Sequence, residues 1–191
     1  MNKLDVVTIG LGNPLPKHSL TRHNVGFLAL DTILSNYNLG QLAGNQKFRI
    51  QVLNSFFENR AVLFIKPCNF MNNSGKVLNS FFNYQGIDLT QTRNIIFHDD
   101  SDILEGKLKL TKNGSAGGHK GLNDIFKYYN QKLFYRVKIG VRPLNNKEKS
   151  SNFILSKLSS NNQVFDALRQ MPEIFNCLIE KRFEECQNLY N

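Results

Sequence analysis

What most constrains this chain is an alternation. Short runs of β-branched and aromatic residues are stopped by turn formers, and between them lie stretches whose apolar residues recur at helical spacing. Val6-Val7-Thr8-Ile9 reads as a buried strand that Gly10-Leu11-Gly12-Asn13-Pro14 stops, after which Val25, Phe27, Leu28, Leu30, Ile33 and Leu34 mark a helix. Residues 48–53 and 60–65 read as two strands joined through residues 54–59, with Lys66-Pro67 ending the second. Met71, Val77, Leu78, Phe81 and Phe82 predict a helix closed by Gly86, with Gly75 a close-packing or turn position. Further strands are expected at residues 94–97, 107–110 and 135–141, the second of them an exposed edge, and a helix through Leu122, Ile125, Phe126 and Tyr129. Phe165, Leu168, Phe175, Leu178, Ile179 and Cys186 fit two amphipathic helices divided near Pro172. Strands alternating with helices, without an internal repeat or a linker, imply one α/β domain over residues 1–191: a mixed, mostly parallel twisted sheet flanked by helices. At 191 residues the chain is long enough to bury its own core.

The bulk numbers narrow the function classes. Against 15 acidic residues stand 24 Lys and Arg, a formal charge of +9 that favours polyanions such as nucleic acid through counterion release. Heavy use of Asn and Lys also fits an AT-rich genome, a bias that raises basicity without selection for binding. No apolar run is long enough to span a bilayer, and Met1-Asn2-Lys3-Leu4-Asp5 leads straight into the first strand. Neither a membrane span nor a signal peptide is therefore expected, and the expected location is the cytoplasm. Cys68, Cys177 and Cys186 lack paired metal spacing and read as reduced thiols, so neither a disulfide framework nor a zinc site is expected.

Chemistry-bearing residues gather where strands end. Thr21-Arg22-His23-Asn24 lies between the first strand and its helix, Asn13 lies in the loop between them, Asn69-Phe70-Met71-Asn72-Asn73-Ser74-Gly75 precedes the next helix, and His98-Asp99 follows the strand at 94–97. In open α/β sheets ligands bind at the carboxyl edge of the strands. Histidine can take and return a proton near neutral pH, and a carboxylate fixes its tautomer. The plainer reading makes Asn24 a helix N-cap and Arg22-His23 a solvated pair. A serine nucleophile finds no support: no Gly-x-Ser-x-Gly elbow is present, and Ser115 sits in the glycine-rich loop 113–121.

The ordered set Gly10-Leu11-Gly12-Asn13-Pro14, Thr21-Arg22-His23-Asn24-Val25-Gly26, Phe70-Met71-Asn72-Asn73-Ser74-Gly75, His98-Asp99 with Asp102, and Gly117-Gly118-His119-Lys120-Gly121-Leu122 resembles the bacterial peptidyl-tRNA hydrolases. That resemblance implies a three-layer sandwich and an esterase that frees peptides from tRNA without metal or cofactor, acting as a monomer. It makes His23 the general base and Asp99 its steering acid, with Asn13, His18, Phe70, Asn72, His119 and Lys120 on the substrate. It places Lys107, Lys109, Lys112, Arg136 and Lys138 near tRNA phosphate, although lysines on an edge strand also serve simply to discourage sheet pairing. Such phosphate contacts position a substrate without reading its sequence. Met71 is expected to be a core residue.

The chain departs from the family's pattern at several points. Leu15 and His18 stand where a glycine and a tyrosine are usual, Lys120 replaces an asparagine, Thr111 replaces a basic residue, and Leu104-Glu105 replaces a proline pair, read as altering only a turn. Lysine donates but cannot accept, and a charge at Lys120 pointing inward lowers the proton affinity of His23. Two other classes compete. A non-catalytic RNA-binding relative of the same fold has no evident need for Asn13, His23, Asn72 and Asp99 together. A nucleotide-dependent RNA-modifying transferase needs a third glycine that Gly10-Leu11-Gly12 lacks.

Overall fold

A central strand covered on both faces has to be apolar throughout, and β1 (Val6–Gly10), in which every residue is buried, meets that demand. In the computed structural model, which describes residues 3–191, β1 pairs in parallel with β4 (Arg60–Pro67) on one side and β5 (Arg93–Leu104) on the other. Met1 and Asn2, part of the stretch read as lacking a signal peptide, lie outside the described residues. With β2 (Ala43–Asn45), β3 (Ile50–Phe57), β6 (Leu108–Thr111) and β7 (Phe134–Arg142), the sheet order is β2-β3-β4-β1-β5-β7-β6. Its centre is parallel, while β2, β3 and the edge strand β6 pair antiparallel to their neighbours.

The two faces of the sheet are covered by different helices. α1 (Val25–Asn36) packs with α5 (Val164–Arg169), α6 (Met171–Glu180) and α7 (Phe183–Tyr190) over one apolar cluster. α2 (Ser74–Gln85) and α3 (Lys120–Ile125) cover the other, where Ile96 and Phe134 meet Leu78, Phe82 and Leu122. The result is the expected three-layer sandwich. Gly75 is a close-packing position, since a Cβ there would overlap the α3 backbone at Asp124, and Gly86 ends α2 at φ 66°. Among the described residues no helix is long and apolar enough to cross a membrane.

Several expectations need correction. Residues 54–57 continue β3 rather than forming a loop, and the hairpin turns on Glu58-Asn59 alone, at φ 46° and 59°, the backbone a two-residue hairpin requires. β5 runs through His98 and Asp99 to Leu104, with a break in register between Asp100 and Leu104. The C-terminal segment forms three helices: α5 stops at Gln170, just before Pro172, and Lys181-Arg182 separates α6 from α7. That second break folds α7 back on α6, bringing Cys177 and Cys186 together at a Cα separation of 5.9 Å. They are joined in a disulfide instead of standing as free thiols, and Cys68 alone remains unpaired. A short helix not read from the sequence, α4 (Ser150–Phe153), opens a strap that leads to the site.

Candidate active site

Strand order reverses at β1: the chain leaves it for β2, β3 and β4 on one side, then returns to β5 on the other. Loops leaving β1 and β5 diverge there and open a crevice at their carboxyl ends. Gly26 lets the start of α1 press against this edge, because a Cβ at that position would overlap the backbone of Leu11 and Phe97. The 3-10 turn Arg22–Asn24 is thereby seated over the ends of both strands. Asn24 is no side-chain cap; its Oδ1 accepts from the Asn13 N–H at 2.8 Å, and its Nδ2 donates to the Asn13 carbonyl at 3.1 Å. Asn13 in turn uses its side-chain oxygen to accept the Met71 N–H at 3.0 Å, so its Nδ2 is the group left for a ligand.

Around Asp99 three imidazoles converge. His23 Nδ1 lies 2.7 Å from Asp99 Oδ1, and His119 Nε2 lies 3.0 Å from the same oxygen. His119 Nδ1 accepts from the backbone N–H groups of Gly121 and Leu122, so its proton sits on Nε2 and is donated to Asp99. The His98 ring packs on that of His119 with centroids 5.1 Å apart, and its Nδ1 donates to the Asp99 carbonyl at 2.8 Å. Burial, then the neighbouring His119, pushes the His98 pKa down to about 3, so His98 is neutral at working pH. Burial pulls the His23 pKa down as well, but the charge and hydrogen bond of Asp99 outweigh it and leave the value above the usual 6.5, with Lys120 opposing. Burial raises the carboxyl pKa of Asp99, and the two histidines overcome it and hold the group well below the usual carboxylate range.

His23 thus stands in a cleft of about 660 Å³ with Nδ1 committed to a carboxylate and Nε2 left for a substrate. Asn13, His18, Phe70, Asn72, His119 and Lys120 all line this cleft. Asn72 is exposed, and so is most of Phe70 at 64%, whereas Met71 is buried as expected for a core residue. Lys138 also lines the cleft, pairs with Asp100 at 2.8 Å, and stands opposite Lys109 of the edge strand. Lys107 and Lys109 are exposed beside it.

Two of the expected phosphate ligands do not belong to this surface. Arg136 is 2% exposed, and its guanidinium donates to the carbonyls of Asn113, Gly114 and Ser115, so it props the glycine-rich loop from below. Lys112 follows the last residue of β6 and lies over the Tyr135 ring on the other face of the sheet, 5.0 Å from its centroid.

Glu105, read as part of an altered turn, is a partner of the turn that carries His23. Its Oε1 accepts from Arg22 Nη2 at 2.5 Å and from Nε at 3.2 Å, while Arg22 Nη1 donates to Ser156 Oγ at 2.6 Å. The strap after α4 also accepts the His23 N–H at the Ile154 carbonyl and lines the cleft with Ile154 and Leu155. No local signal marks the Arg22–Glu105 pair, whose members are 83 positions apart. His98, singled out in the sequence beside Asp99 without a role of its own, packs behind the Asp99–His119 pair.

His23, Asp99 and His119 are close enough to one another to hold a metal ion. Their donor set does not fit one: Asp99 Oδ1 already accepts from both rings, and His119 Nε2 carries its proton because Nδ1 is an acceptor. What the arrangement can do is general base catalysis by an imidazole steered by a buried carboxylate. Fold and cleft together define an α/β protein equipped for general base chemistry, with a basic margin.

Comparison with known proteins narrows that class. The family model described as peptidyl-tRNA hydrolase matches residues 7–191, and the chain belongs to the peptidyl-tRNA hydrolase family, hydrolases that act on an ester bond. A peptidyl-tRNA hydrolase of Mycoplasma capricolum subsp. capricolum is 36% identical over 193 residues, covering 97% of this chain and 99% of that protein. The crystal structure of the Acinetobacter baumannii peptidyl-tRNA hydrolase superposes with a TM-score of 0.87 at 27% identity, covering 100% of this chain and 97% of that one. An Arabidopsis thaliana 5'-methylthioadenosine nucleosidase, at 8% identity and a TM-score of 0.53 over 96% of this chain and 100% of its own, shares the fold alone.

Proposed function

We propose that this enzyme hydrolyses the ester between a peptide, or an N-blocked amino acid, and the terminal ribose of tRNA through water activated by His23. His23 Nε2 takes a proton as the water oxygen adds to the ester carbonyl carbon. When the tetrahedral intermediate collapses, the bond from carbon to ribose oxygen breaks and the imidazolium returns the proton to that oxygen, leaving a free carboxyl group and tRNA. Asp99 keeps the His23 proton on Nδ1 and stabilises the imidazolium; His119 holds Asp99 in place. Asn13 Nδ2, the Asn72 amide and the Lys120 ammonium are the donors for the ester carbonyl and its developing negative charge. His18 and Phe70 contact the substrate at the rim, and Lys107, Lys109 and Lys138 carry tRNA phosphate. The catalytic unit is the single domain 1–191, acting as a cytoplasmic monomer without metal or cofactor.

The observation that carries this reading is the buried hydrogen bond between His23 and Asp99 at 2.7 Å on the floor of the cleft. Incubation of the protein and of His23→Ala with an N-acetylaminoacyl-tRNA tests it. We expect the variant to lose roughly 10²–10⁴-fold in kcat, the usual share of general base catalysis, and to keep its tRNA affinity. Equal turnover by the variant removes His23 from the role, and a parent protein that binds tRNA without cleaving it is a binding relative instead.

A further inference from the structure

A second cavity, of about 240 Å³, lies on the other side of one turn from the catalytic cleft. Asn69 and Asn73 line the second cavity, while Phe70, Met71 and Asn72 between them line the first. The remaining walls are Lys47, Phe48, Lys76, Val77 and Ser80, from the approach to β3 and from α2. Lys47 and Lys76 are both exposed, and among the described residues neither ammonium is paired with a carboxylate. Lys47 is held in place: its Nζ sits 3.5 Å from the centroid of the Tyr84 ring, which packs against Phe48 at 5.3 Å. The shared turn is anchored from below, because the Arg49 carbonyl accepts both the Cys68 N–H and the Asn69 side-chain amide.

Unpaired ammonium groups beside amides and a hydroxyl suit an anion, and Phe70, next to Asn69 on the shared turn, stands exposed on the side of the first cleft. Cations interleaved with open aromatic faces are the pattern that grips single-stranded nucleic acid, whose bases stack while its phosphates track the charge. We propose that the cavity is a phosphate subsite for the single-stranded end of tRNA, with one backbone phosphate between Lys47 and Lys76 and a base against Phe70. The proposal rests on the hydrolase reading for the identity of the polyanion. It extends the tRNA contact to the opposite side of His23 from the Lys107–Lys109 edge.

The test is the double variant K47Q/K76Q, measured in two ways. For hydrolysis of N-acetylaminoacyl-tRNA, KM rises severalfold and kcat is unchanged. For binding of deacylated tRNA to proteins that also carry His23→Ala, the plot of log affinity against log salt becomes shallower by about 0.7, the share of one single-strand phosphate contact. The binding arm needs no chemistry, so it judges the subsite even if the parent fails to cleave. An unchanged salt slope overturns the proposal. So does a KM penalty confined to substrates with acidic peptides, which assigns the cavity to the peptide.

Discussion

Glu105→Ala is the perturbation that most directly probes how His23 is held. The Arg22 side chain is only 10% exposed and that of Glu105 only 11%, so removing the carboxylate leaves a guanidinium largely out of water. Breaking a buried pair from one side costs about 3–5 kcal/mol. Here the Ser156 hydroxyl and the carbonyls of Val141 and Lys157 continue to accept from Arg22, at 2.6, 3.3 and 3.4 Å, which argues for the lower end, about 3 kcal/mol. For a domain of this size each kcal/mol moves Tm by about 2–4 °C, so thermal unfolding of Glu105→Ala is expected about 6–12 °C below the parent. The turn that carries His23 loosens with it, and kcat falls while KM for tRNA, set by lysines elsewhere, stays within a factor of about two. Arg22→Met combined with Glu105→Leu removes both charges and recovers most of the lost stability, because no unpaired ion remains. A Tm drop under 2 °C for Glu105→Ala, or additive losses in the double variant, would refute the view that this pair holds the turn that carries His23.

Two further outcomes are specific. Because His23 must be neutral to act and its pKa lies above 6.5, kcat/KM falls as pH drops through that raised value; Lys120→Asn removes an opposing charge and moves this acid limb to higher pH, whereas Asp99→Asn moves it to lower pH and cuts the plateau. A pH–rate profile of the three proteins checks both signs, and a limb moving the same way in both variants rejects the assignment. Gly26→Ala is expected to destabilise by at least about 1–3 kcal/mol in denaturant titration, since its methyl group meets backbone of Leu11 and Phe97, not a side chain able to give way.

Features of the fold that depend on neighbours in sequence were legible, and those that depend on distant pairings were not. Gly10, Pro67 and Gly86 stop their elements where turn chemistry says they should, and the apolar spacing of α1 and α2 survives intact. Arg136 and Lys138 alternate onto one face of β7, and nothing local tells that loop 113–118 covers the first and leaves the second open. Glu105 meets Arg22 across 83 positions, so a substitution in a turn concealed an ion pair. Cys177 and Cys186 meet because the helix breaks at Lys181-Arg182, a break with a weaker sequence signal than Pro172. His23 and Asp99 are also far apart, at 76 positions, yet their meeting is legible in the sequence. The difference is that each lies at the carboxyl side of a central parallel strand, and a parallel sheet gathers all such positions onto one edge. Topology therefore brings His23 and Asp99 together before any side-chain contact is known, while Arg22 and Glu105 depend on a strap and on the crossing from β5 to β6 past the end of β7, whose paths only the packed structure determines.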